Sequence, residues 1–483
     1  MLDKESTSHE AARPNLVFIF ADQMRGMDMG CAGNSQIRTP NMDKLSEEGF
    51  MFKNAVSCFP VCTPYRACLI SGRYPVNNGV MDNDVPLPID GKGFGHLLKA
   101  NGYRTGWVGK WHLFGPGVRT TFIPPGEHRH GFDDLWAGVN CSHKYCDSFY
   151  YLNDHPEKIY FNGYEPDIQT DIAMNFISQY QEEPFAIFLS WGPPHDPYHT
   201  VPEKWKELYD ENKLDFRPNV SPDREFITGA APGNVKNPNF DIRSFYRAYT
   251  GDRELLVMPN KKVLRDYYAA ISSLDNNIGR LTEHLQRLHL DDKTIFVFTS
   301  DHGDMMYSHG AIQKNHPWEE SIHVPFLIKY PGKIRPGEAT SKPFNTVDIM
   351  PTILELMGID VPDFAEGTSF APLLSGKEQK LPEAAYIMCT WPWIIPEWRG
   401  IRTERYTYVE TPESPLLLFD NENDPFQLQN VIDRDEYSAI REELEAVYRQ
   451  MANEIGDPFD KWDTIKLKMA ASCDAWREKY ELI

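Results

Sequence analysis

Four short runs of apolar and β-branched residues stand out along the chain: Leu16–Phe20, Phe185–Leu189, Thr294–Phe298 and Val324–Ile328. They show little polar alternation, which marks strands buried on both faces. Between them, apolar positions three and four apart predict helices over 41–49, 94–101, 167–181, 262–289 and 345–357. A further short helix begins at Arg66 and closes on Gly72, which leaves Cys62 just ahead of its N-terminus. This alternation predicts an α/β fold built on a large mixed, mostly parallel sheet with helices on both faces. In such sheets, sites form beyond the carboxyl ends of strands.

After a passage rich in Pro and Gly over 360–383, the pattern changes. Shorter strands are predicted at 385–388, 400–402, 406–409 and 416–419, then a helix from Asp435 to about Asn453. The expected division is an α/β domain over 12–375 and a C-terminal subdomain over 384–465, an antiparallel sheet with a packed helix. The stretch from Asp215 to Asn260 is long and polar, in the manner of a functional lid or a disordered loop.

Composition narrows the function classes. The 483 residues are 41% hydrophobic and 25% charged, as in ordinary globular proteins, with a net charge of -21. That field repels nucleic acid and anionic membranes, so neither is expected as a partner, and an anionic substrate needs a local cluster of cations. No run of 18 apolar residues occurs, and Met1–Pro14 holds no apolar signal segment. The eight cysteines lack paired metal-site spacing and are sparse for a disulfide scaffold, so a reducing cytoplasm is expected. A Cys141–Cys146 bridge is the one pairing considered, and it is disfavoured.

Three predicted strands run into groups able to hold a metal or an anion. The first ends at Asp22-Gln23, the second leads to His195, and the third ends at Asp301-His302-Gly303-Asp304. An Asp after a strand ordinarily starts a turn. Three such ends on one sheet edge, with Cys62-Thr63-Pro64-Tyr65-Arg66 before a helix N-terminus, point instead to a site.

These segments resemble the formylglycine-dependent (type I) sulfatases of the alkaline phosphatase superfamily over most of the chain. Cys62-Thr63-Pro64-Tyr65-Arg66 resembles their C-x-P-x-R motif, Gly109-Lys110-Trp111-His112 their GKWH segment, and Pro194-His195-Asp196-Pro197-Tyr198 their PHxPY segment. Pro14–Gln23, Thr39–Leu45, Thr299–Asp304 and Lys314 through Pro325 complete the match.

The resemblance implies an enzyme in which Cys62 is oxidised by a formylglycine-generating enzyme, and the aldehyde hydrate attacks sulfur. It assigns the metal to Asp22, Gln23, Asp301, His302 and residue 62. Calcium is the family's usual ion; Gln23 and His302 replace the commoner oxygen ligands, so manganese or another transition metal stays open. Lys110 binds the anion or hydrate, His112 is the base, and His195 and Lys314 face the leaving group. Arg66 holds the hydrate and the metal-site carboxylates. Asn83 is placed near the anion or substrate, with an ordinary loop role equally open.

For substrate, the family's core motifs serve sulfated sugars and small aryl or alkyl sulfates alike, and a sulfated carbohydrate is the expectation. Arg243, Arg247 and Arg253 either receive a second anion or lie solvated, and Trp391, Trp393 and Trp398 either stack on a sugar or pack in a core. Two rival functions are a phosphonate or phosphate diester hydrolase using the same modified cysteine, and a non-catalytic protein that binds sulfated sugar with Cys62 unmodified. Oligomeric state is left open.

Overall fold

A computed structural model describes residues 13–117, 119–221, 259–390, 397–459 and 462–479. Ten strands form one sheet: β1 (Asn15–Asp22), β2 (Phe50–Phe52), β4 (Arg104–Lys110), β5 (Leu135–Val139), β6 (Phe149–Leu152), β7 (Ile159–Tyr160), β8 (Phe185–Pro194), β9 (Thr294–Ser300), β10 (Phe326–Lys329) and β11 (Glu338–Thr340). A two-stranded pair, β3 (Ala55–Val56) with β12 (Phe344–Asn345), lies apart from it. The order is β11-β2-β10-β9-β1-β8-β4-β5-β6-β7. Its centre, β9-β1-β8-β4-β5, is parallel, and β10 and β6 pair antiparallel on either side of that block.

Residues of β1 alternate between two cores. Val17 and Ile19 join one, with Leu274 and Ile278 of helix α5 (Lys261–Arg287) and Phe176 of α4 (Glu165–Gln179). Leu16, Phe18 and Phe20 join the other, with Leu69 and Ile70 of α2 (Cys62–Ser71), Leu98 of α3 (Phe94–Ala100) and Ile353 of α6 (Thr346–Leu356). Helices therefore cover both faces, as expected of a sheet whose central strands are buried on both sides. The first helix, α1 (Pro40–Glu48), is also where the spacing predicts it.

Four strands, β13 (Ala384–Cys389), β14 (Trp398–Thr403), β15 (Tyr406–Glu410) and β16 (Pro415–Asp420), form the smaller antiparallel sheet. Helix α7 (Ser438–Ile455) packs Leu444 and Tyr448 into its core. The pattern did not predict α8 (Trp462–Lys479), which docks Ile465, Met469 and Trp476 back against the large sheet's core. Nor did it predict β4, whose Gly106 and Gly109 break the apolar run.

Trp398 is fully buried and its indole donates to the Asn315 carbonyl at 3.2 Å, which assigns it to core packing rather than sugar stacking. Trp391, Trp393 and Arg243, Arg247 and Arg253 lie outside the described residues. Cys141 and Cys146 are free thiols, so no bridge joins them.

Candidate active site

The parallel strands β9, β1, β8 and β4 are neighbours, and their carboxyl ends deliver Asp301 and His302, Asp22 and Gln23, His195, and Lys110 and His112 to one edge. Cys62 reaches the same place from α2, as the first helical residue rather than one just ahead of the helix. Gly72 closes that helix in the left-handed region, φ 66°.

Arg66 is the clamp that registers these ends. It is fully buried, one nitrogen donates to the Lys110 carbonyl and the Ser190 hydroxyl at 2.7 Å each, and the other reaches Asp301 at 3.1 Å and Asp22 at 3.5 Å. One side chain thus ties β4, β8, β1 and the residue after β9. Its guanidinium also lies over the Phe20 ring, 4.9 Å from the centroid.

Asp22, Cys62, Asp301 and His302 each offer one ligand atom, all within 4.8 Å of one another and all buried. The Gly303 carbonyl accepts from Nδ1 of His302 at 2.9 Å, which aims Nε2 into the cluster, and Asp301 and Cys62 raise the imidazole against its burial. That Nε2 stands 3.2 Å from Cys62 Sγ and 3.5 Å from an oxygen of each carboxylate. Burial and the neighbouring Asp22 push the Asp301 carboxyl up, despite His302 and Arg66. Asp22 is held well below its usual range, since Lys110, Arg66 and His302 outweigh its burial. Two buried carboxylates with an oriented imidazole suit a divalent cation, which would relieve the charge that lifts Asp301. Gln23 stands beside them, but its Oε1 accepts from Lys314 at 2.8 Å and its amide donates to Asp304 at 2.7 Å.

The cations face residue 62. Lys110 Nζ pairs with Asp22 at 2.6 Å, and Lys314 Nζ donates to His195 Nε2 at 2.7 Å. His195 gives its Nδ1 proton to the Asp196 carbonyl at 2.8 Å, and burial with Lys314 and His143 keeps the ring neutral. Burial and Asp22 raise the Cys62 thiol, yet Lys110, Lys314 and His302 overcome both and draw it well below the ordinary thiol value. Backbone donors contribute less than the helix N-terminus suggested. Pro64 has no N–H, and that of Thr63 is capped by Asn83 Oδ1 at 3.0 Å. Asn83 therefore fastens the first turn of α2.

His112 turns to Asp84, its Nε2 3.0 Å from a carboxylate oxygen, with Arg119 on the other oxygen at 2.9 Å. Sequence reasoning singled out neither of these partners. It also missed Cys141, beside His112, and His143, which stacks on His195 at 4.3 Å. A cavity of about 630 Å³ lined by Tyr74, Asp348, Glu366 and Met451 lies elsewhere and shares none of these residues.

The chain belongs to the sulfatase family, a class of sulfuric ester hydrolases: the family model described as Sulfatase matches residues 14–359. A second model, N-sulphoglucosamine sulphohydrolase, C-terminal, matches 308–454. The chain is 37% identical to an ulvan-active sulfatase of Formosa agariphila, over 94% of this chain and 84% of that one. It is 28% identical to an N-acetylglucosamine-6-O-sulfatase of Bacteroides thetaiotaomicron, over 95% and 90%. Among solved structures, one in complex with its substrate D-glucosamine-2-N,6-O-disulfate superposes with a TM-score of 0.77 at 25% identity, covering 92% of this chain and 99% of that one.

Proposed function

We propose that this enzyme removes sulfate from a sulfated carbohydrate, with residue 62 as the nucleophile after conversion of Cys62 to formylglycine by a modifying enzyme. The observation that carries the reading is the convergence of Lys110, Lys314 and His302 on Cys62 in a chain that is otherwise strongly acidic. The relatives above act, by their names, on ulvan, on N-acetylglucosamine 6-sulfate and on a glucosamine disulfate, which supports a sugar as the alcohol released.

Asp22, Asp301 and His302 are the proposed metal ligands with residue 62, and Gln23 completes them if its Oε1 leaves Lys314. Calcium is the first choice and manganese the second, given the imidazole. A cation bound there would neutralise sulfate oxygens and polarise the nucleophile. The modified residue would supply a hydroxyl oxygen at the place Sγ now takes. Around that pair, Lys110 holds the anion against Asp22, and Arg66 keeps the four strand ends in register. Lys314 is the donor to the leaving oxygen, because neutral His195 presents a lone pair to it rather than a proton. His195 thereby aims the ammonium. His112 is the base. The proposed setting is a reducing cytoplasm, in line with the free cysteines.

A panel of sulfated mono- and disaccharides assayed for free sulfate, with Cys62→Ala as control, tests this directly. Sulfate release that falls by at least about 10⁴-fold in the control is expected. Faster turnover of an aryl phosphonate ester than of any sulfate ester would replace this reading with the phosphonate one.

A further inference from the structure

We propose that Asp84 is the positioning residue for His112: its carboxylate accepts the Nε2 proton and so commits Nδ1 to taking up the proton during turnover. The proposal rests on the sulfatase reading for the reaction, although its geometry stands without it. His112 is buried, only 3% exposed, and Asp84 Oδ1 lies 3.0 Å from its Nε2. Nδ1 is also buried and makes no well-aligned hydrogen bond among the described residues. In the neutral ring a carboxylate on Nε2 leaves the lone pair on Nδ1, and the Cys141 thiol is also in hydrogen-bonding contact with the ring.

Asp84 is itself held from three sides. Arg119 donates to Oδ2 at 2.9 Å, the Asp84 N–H reaches the Thr63 hydroxyl at 3.4 Å, and the preceding Asn83 caps Thr63. The loop is therefore tied to the helix turn that begins with Cys62. Both members of the pair sit in the left-handed backbone region, Asp84 at φ 60° and His112 at φ 59°. Such backbone costs about 1 kcal/mol or more per residue and persists where surrounding contacts impose it. A surface ion pair needs no such arrangement. Here the Asn140 carbonyl accepts the His112 N–H at 2.6 Å and fixes the ring's base as well.

The charged and titratable groups around the ring are Asp84 with Arg119, Lys110, Asp82, and the Cys141 thiol with His143 behind it; Cys473 of α8 faces Asp84 and Asp82. Burial and Lys110 lower the imidazole, while Cys141 and Asp84 raise it, to about 10. Losing the carboxylate therefore lowers it. A base works above its own titration point, so the acid limb of the rate profile moves to lower pH when Asp84 is removed.

The test compares Asp84→Asn, Asp84→Glu and Arg119→Ala in the full chain with residue 62 converted. Asparagine presents an N–H to Nε2 and forces the proton onto Nδ1. The expected result for Asp84→Asn is a kcat lower by about 10²-fold or more with KM within about threefold. Its acid limb should also shift downward, with partial recovery in Asp84→Glu and a smaller loss in Arg119→Ala. Histidine ¹⁵N shifts, recorded above the pH at which the ring gives up its second proton and assigned with His112→Gln, should show the proton on Nε2 in the wild type and on Nδ1 in Asp84→Asn. An unchanged tautomer with unchanged kcat and pH profile would overturn the proposal. If the converted wild type releases no sulfate at all, the functional reading fails, and the ¹⁵N shifts alone still decide the role of Asp84.

Discussion

Two parts of this molecule bury charge, and they do it differently. In β14 of the small sheet, Arg399 meets Asp457 at 2.6 Å and Arg402 grips both oxygens of Glu319 at 2.7 and 3.2 Å. Each cation there has its carboxylate. At the strand ends around Cys62, Lys314 is instead shared between Gln23 and His195, both neutral, and Asp301 is pushed up by burial and by Asp22. The first arrangement closes on itself; the second directs its field at one atom. Burial of charge is thus no guide to function on its own. What distinguishes the site is that its charges converge on residue 62 and on a cluster of ligand atoms suited to a metal ion.

Removing a cation from each region sharpens that contrast most. Arg66→Met and Arg399→Met should each destabilise the fold by about 3–5 kcal/mol, since each strands a buried carboxylate. Only the first should also abolish sulfate release by the folded fraction, read by denaturant melts alongside rate. Equal activity loss in both would erase the distinction. Lys314→Met comes next, with kcat lower by about 10²–10³-fold and little change in melting temperature, as for loss of one donor to a developing oxyanion.

The smallest effect concerns acid. Burial holds His130, His309 and His316 neutral, lowering them to about 3, 4 and 3. Unfolded imidazoles titrate near 6.5, so below that pH the unfolded chain binds more protons and stability falls as pH drops toward those values. A loss of roughly 1 kcal/mol per histidine per pH unit is expected, and His316→Phe should flatten it. His309 stacks on Trp318 and His316 packs against it at a tilt, in the core shared with the small sheet. That acid sensitivity of the fold is separate from the acid limb that His112 sets on the rate.

The apolar runs made the central strands legible because parallel strands buried on both faces leave no polar residue to blur them. β4 escaped notice because glycines interrupt it, although Gly109 is needed there: its φ is 102°, and a Cβ would lie 2.0 Å from the Ser190 carbonyl oxygen. The motifs named Cys62, Asp22 and Asp301 because each is anchored to a strand end or a helix start, whereas Lys314, in the loop between β9 and β10, was named only through the family resemblance. Asp84, Cys141 and His143 were illegible since their roles come from contacts across the chain, and an Asn/Asp-rich turn looks the same whether or not it faces a histidine. The role of Arg66 as a clamp on four strand ends likewise exists only in three dimensions.

The most direct test of the central claim is the mass of the peptide carrying Cys62, taken from protein made with a formylglycine-generating enzyme, read together with sulfate release. Conversion of the thiol to the aldehyde removes about 18 Da. Activity on the sulfated sugar should rise in proportion to the converted fraction and vanish in protein made without the modifying enzyme. Full activity in protein whose Cys62 keeps its thiol mass would contradict the account.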